Sequence, residues 1–174
     1  MLTTLPASTE APGYYFTCIN KVSRSRDIRR TIETQLDDTL ALLNGISEEQ
    51  SRHRYAPGKW SIREVMGHVN DCERLFVFRA MWFARGFASP LPSFDQDAAM
   101  AAAQFDEVPL SAHAAEFRAL RESTVRFFNL LPDEAWMKRG TASDSSFSVR
   151  ALAYITAGHV EHHAGIVRDR YLGG

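Results

Sequence analysis

Apolar side chains recur at intervals of three and four from Ile28 through Ile32, Leu36, Leu40 and Leu43. This spacing predicts a helix over about 27–44, with Gly45 as its stop. After a loop with Pro57 and Gly58, Ser61 opens a second helix, and Glu64 three residues on completes a capping box. Its stripe is Ile62, Val65, Val69, Cys72, Phe76, Ala80 and Phe83, ending near Gly86. Phe117, Leu120, Thr124, Phe127 and Leu131 predict a third helix, from about Ser111 to Leu131, with Pro132 beyond it. The fourth begins near Ser148 and carries Val149, Leu152, Thr156, His159, His163, Ile166 and Arg170 in alternating steps of three and four.

The intervening segments differ in character. Residues 1–24, with Pro6, Pro12 and Gly13, read as an irregular arm pinned by Tyr14, Tyr15 and Phe16, ahead of a bundle domain over 25–174. Pro90, Pro92 and Pro109 forbid a continuous helix after the second, although Asp97 to Gln104 suits a short one. Gly140 to Ser146 reads as a polar loop. Few segments alternate with period two, so the expected fold is all-α, a four-helix bundle. Short connections make the first pair and the last pair of helices antiparallel. The crossover of about twenty residues between the second and third leaves those two parallel, an up-down-down-up order. The second and fourth helices then run in opposite directions.

Composition narrows the function classes. The 174 residues are 45% hydrophobic and 24% charged, the balance of one globular domain. A net charge of -1 and a pI near 6.6 give no field to recruit nucleic acid or an anionic membrane. The most apolar run, Leu75 to Ala84, is interrupted by Arg79 and falls short of the roughly 20 residues a membrane span needs. The N-terminal stretch lacks a basic run and a continuous apolar core, so no secretion signal is expected, and a cytoplasmic location is. Cys18 and Cys72 form no CxxC pair, and Cys72, on an apolar stripe, reads as a small buried hydrophobe. A homodimer through an outer helix face is compatible with such a bundle, although no patch marks it.

The histidines carry the chemistry. His159 and His163 stand at i and i+4, on one helix face. They occupy the central apolar stripe, where leucine or isoleucine is expected; His68 is the same anomaly in the second helix. His68 lies seven residues after Ser61, about 10 Å up its helix, and His163 lies eight residues before Tyr171, about 12 Å from the other end of its own. Antiparallel packing therefore brings the three to one level. Three neutral imidazoles would hold a divalent ion, Zn²⁺ or Ni²⁺ by ligand preference, with a coordination position open. An ion held so acidifies a bound water or thiol. His162 points about a hundred degrees away from His163. His53 and His113 are expected to face solvent. Asp95, Asp97, Glu161 and His162 are weak candidates for acid–base groups, each more readily an ordinary surface charge, and the sequence places none of them near the ion. Trp60 and Trp82 are candidate lining residues.

The segments WSIREVMGHVNDCER (60–74) and AGHVEHHAGIVRDRYL (157–172), with the Pro57-Gly58-Lys59-Trp60 approach and the crossover bearing Pro92, Phe94 and Asp95, resemble the DinB/YfiT-like superfamily of metal-dependent enzymes. The resemblance implies an up-down-down-up bundle whose metal is held by one histidine of the second helix and two of the fourth, here His68, His159 and His163. Members include bacillithiol and mycothiol S-transferases, a mycothiol-dependent maleylpyruvate isomerase and proteins called hydrolases. The implied function is a metal-dependent S-transferase or hydrolase acting on a small molecule, with a low-molecular-weight thiol as co-substrate in the first case. The alternative is a non-enzymatic helical bundle that binds a metal or serves only in assembly.

Overall fold

The structure, a computed structural model, describes residues 3–173; residues 1, 2 and 174 of the two expected spans lie outside it. The helices are α1 (Phe16–Ile19), α2 (Ile28–Asn44), α3 (Ile62–Ala84), α4 (Gln96–Ala102), α5 (Leu110–Asn129) and α6 (Val149–Ile166), the last continuing into a π turn over Val167–Tyr171. The long four are α2, α3, α5 and α6.

Local chemistry fixes their starts. Asp27 caps α2 by accepting from the Arg29 N–H, and Ser148 caps α6 by accepting from Ala151. At α3 both halves of the capping box form between Ser61 and Glu64. Asp95 does the same service for α4, accepting from Ala98.

Cross-helix contacts give the directions. Tyr171, past the end of α6, donates its hydroxyl to the Trp60 carbonyl just before α3, whereas Phe76 lies against His159. Helices α3 and α6 are therefore antiparallel. Asn70 reaches the His113 carbonyl and Glu73 reaches Arg121, so α3 and α5 advance together. Gln35 bonds the Ala157 carbonyl, and Leu43 faces the same small void as Val167, so α2 and α6 are also parallel. The bundle is up-down-down-up, as loop lengths require.

Three segments depart from the expected pattern. The polar loop before α6 is a hairpin, β1 (Arg139–Ala142) with β2 (Ser145–Ser148), turned through Ser143 and Asp144 at positive φ. Two left-handed residues suit the right-handed twist of a two-residue turn, but the sequence there lacks the Asn-Gly signature and a clear alternation. Leu91 of the crossover bridges to Ala142 and so ties the crossover to this hairpin. On α5 the central buried positions are Phe117, Arg121, Thr124 and Phe128, while Leu120 and Phe127 are half-buried. Residues 13–19 form a helical turn and α1, burying Cys18 and Ile19 against α6. Gly158 permits that approach: a Cβ there would stand 2.2 Å from the Cys18 carbonyl oxygen.

Candidate metal centre

His68 comes from the second turn of α3, and His159 and His163 from successive turns of α6. The Nε2 of His159 lies 3.1 Å from that of His68 and 3.2 Å from that of His163. The His68 and His163 rings are 5.0 Å apart between centroids. Expected spacing and observed placement coincide: the three are brought together.

Hydrogen bonding alone does not account for the cluster. A neutral imidazole nitrogen carries one hydrogen or offers one in-plane lone pair, so His159 Nε2 cannot satisfy two other Nε2 atoms at once. Protonation does not relieve the conflict either. Burial holds His68 down to about 4, with repulsion from His162 when that ring is protonated as the lesser cause, and holds His163 down to about 3. Burial also puts His159 well below the ordinary imidazole range, with His163 and His68 adding to it. The rings are neutral at pH 7, the form that ligates a metal. Two imidazole nitrogens on one tetrahedral zinc stand about 3.3 Å apart, close to both contacts. Both pairings suit a divalent ion, although the set of three whose donor atoms all lie within 4.8 Å of one another is His68, Cys72 and His159, without His163.

Cys72 belongs to the same neighbourhood. Its sulfur is 3.7 Å from each ring nitrogen of His68, and donor atoms of His68, Cys72 and His159 all lie within 4.8 Å of one another. Burial pushes its thiol up to about 12, so it is a neutral thiol here. It is buried, as a small hydrophobe would be, yet its position four residues after His68 was the signal that it shares the histidines' face. Outer support is thinner. Among the described residues His163 Nδ1, although buried, has no hydrogen-bond partner, so the ring lacks the carboxylate or carbonyl that usually orients a ligating histidine.

The cluster opens into a cavity of about 520 Å³ between α3, α6, the first helical turns, the crossover and the hairpin. Trp60 flanks His68 with ring centroids 5.0 Å apart, and Tyr15, Phe76, Arg79 and Ser143 continue the wall. His162 also lines it, with Nδ1 buried and unpartnered. Burial lowers its pKa, with Lys21 as the second cause.

Other candidates lie elsewhere. Asp95 is exposed and occupied as the α4 cap; Asp97 is exposed in the first turn of that helix. Glu161 pairs with Arg168 at 3.7 Å on the outer face. Trp82 stacks on Phe87 and donates to the Ser89 carbonyl, away from the histidines. His53 is exposed. His113 is not: it is buried under Phe105, whose carbonyl lies 3.0 Å from its Nε2. The turn Phe105–Glu107 folds back over the start of α5 and excludes the solvent expected there.

The DinB superfamily sequence model matches residues 31–167, most of the chain. This chain belongs to the DinB superfamily. YfiT from Bacillus subtilis, described as a probable metal-dependent hydrolase with an unusual four-helix bundle topology, superposes with a TM-score of 0.69. The match covers 82% of this DinB-superfamily chain and 85% of YfiT at 16% identity, a likeness of fold. Among curated proteins none matches. No described helix of this superfamily member is long and apolar enough to cross a membrane.

Proposed function

We propose that this DinB-superfamily protein is a metal-dependent enzyme in which His68, His159 and His163 hold one divalent ion, zinc or nickel, and that it transfers a low-molecular-weight thiol to a small electrophile. The observation that carries the reading is the pair of Nε2 contacts on His159, 3.1 and 3.2 Å, which hydrogen bonds between neutral rings leave unsatisfied. The ion would act as a Lewis acid that favours the ionised form of a nucleophile at neutral pH.

The chain's own residues supply the rest. Burial keeps the three imidazoles unprotonated, so no proton competes for their lone pairs. Trp60 and Phe76 wall the cluster with aromatic surface. His162 is assigned the acceptance of the proton shed by the nucleophile, since it is the cavity-lining imidazole outside the trio. Among the described cavity residues there is no aspartate or glutamate. That favours a thiol, which ionises at about pH 8.5 unaided, over water, whose deprotonation leans on a strong base. The hydrolase reading draws its support from YfiT, described as a probable metal-dependent hydrolase.

Incubation with a thiol and a chromogenic electrophile tests the proposal. Turnover should require the thiol, disappear on chelation and disappear in His68→Ala, whereas His162→Gln should lower kcat with metal content intact. Turnover that survives chelation overturns the proposal, and metal-dependent turnover without thiol selects hydrolysis.

A further inference from the structure

Arg79 is the unexplained charge in this protein. It is 2% exposed, on α3 two turns beyond Cys72. Its Nη2 donates to the Pro92 carbonyl and to the Ser143 hydroxyl, both at 3.1 Å. Nε is buried without a partner, and among the described residues no carboxylate answers the charge. The contrast with Arg121, also enclosed within the bundle, is direct: that guanidinium has Glu73 at 2.8 Å. A buried guanidinium with only neutral acceptors keeps most of its desolvation cost. Its two hydrogen bonds tether the crossover and the hairpin turn, but a neutral amide would do that as well.

Arg79 faces the same cavity as the histidines, in a wall that otherwise offers neutral donors such as Ser93, Gln96 and Ser143. Seven residues of α3 separate it from Cys72, about 10 Å along the axis. We propose that Arg79 is the recognition residue for a carboxylate on the ligand, so that the cavity takes an elongated monoanion with its acid group at the crossover end and its reacting centre at the histidines. The Nε–H, buried and unpartnered, is the donor left over for a carboxylate oxygen, and one negative charge neutralises the one positive charge in the wall. The location of the reacting centre rests on the metal reading above; the carboxylate site does not.

Phenylacetate and its neutral counterpart phenylacetamide probe the site, with affinities read by ligand-observed NMR titration of the protein as purified and again after chelation. Phenylacetate should bind roughly tenfold or more tightly than the amide in both states, the range of a charge-assisted hydrogen bond. High salt should erode that ratio. Arg79→Gln should bring it near one, and Arg79→Lys should restore part of it, which a purely tethering role would not produce. Equal binding of acid and amide by the wild type overturns the proposal, as does a ratio unchanged in Arg79→Gln. If Arg79→Gln does not fold, the wild-type ratio and its salt dependence decide. A failed metal site shows as absent metal uptake with the ratio intact; a failed carboxylate site shows the reverse.

Discussion

Replacement of Arg121 by methionine should be among the most damaging single changes outside the metal centre. Arg121 and Glu73 are 0% and 2% exposed in their side chains, joined at 2.8 and 3.2 Å through Nη2 and Nε. The Nη1 of Arg121 also donates to Gln35 Oε1 at 3.1 Å and to the Ile32 carbonyl at 3.3 Å, while Gln35 Nε2 donates to Ala157 at 3.0 Å. One polar layer therefore touches all four long helices, two residues below His159. Arg121→Met removes every arginine bond in it and leaves the Glu73 carboxylate buried without its cation, a loss of about 3–5 kcal/mol. For a domain of this size each kcal/mol moves the melting midpoint by about 2–4 °C, so the expected drop is roughly 6–20 °C. Calorimetry and urea unfolding measure it. The double variant Arg121→Met/Glu73→Leu should recover most of the loss, because it removes the stranded charge as well. A single-variant loss below about 1 kcal/mol, or a double variant no better than the sum of the singles, would refute this account of the layer.

Gly158→Ala drives a methyl into the Cys18 carbonyl; it should cost roughly 1–3 kcal/mol in urea unfolding, and an unchanged midpoint would show that α1 is not anchored there. Glu48 accepts from the Ser111 and Leu110 N–H groups and pairs with Arg63, which lowers its carboxyl from 4.5 to about 2. Its stabilisation is present above the ordinary carboxylate range and fades as pH falls toward 2. Because the side chain is half exposed, the effect is small and salt-sensitive, and Glu48→Gln should flatten the unfolding midpoint between those values. Cys72→Ala should leave metal content unchanged, and the cobalt-substituted wild type should show no thiolate charge-transfer band; such a band, lost in Cys72→Ala, would make Cys72 a ligand.

The legible part of this protein is the part governed by periodicity and capping. The stripes of α2 and α3, Ser61 as a cap, and histidines at core positions all follow from spacing within single helices. Antiparallel geometry then puts His68 level with His159 and His163. What the sequence hides depends on contacts between distant segments. Arg121 stands outside the apolar stripe expected of its helix, yet Glu73 and Gln35 enclose it in the core. His113 reads as exposed until Phe105 folds over it, and Arg79 reads as an interruption in an apolar run until the crossover and hairpin close around it. The hairpin itself is short, and its turn residues Ser143 and Asp144 give no strong local signal.

The most direct test of the central claim is the divalent metal content of purified protein, measured by elemental analysis for the wild type, His163→Ala and His53→Ala. About one zinc or nickel ion per chain is expected in the wild type and in His53→Ala, and none in His163→Ala. A wild type that takes up no ion when supplied with zinc or nickel, or a His163→Ala protein loaded as fully as the wild type, would contradict it.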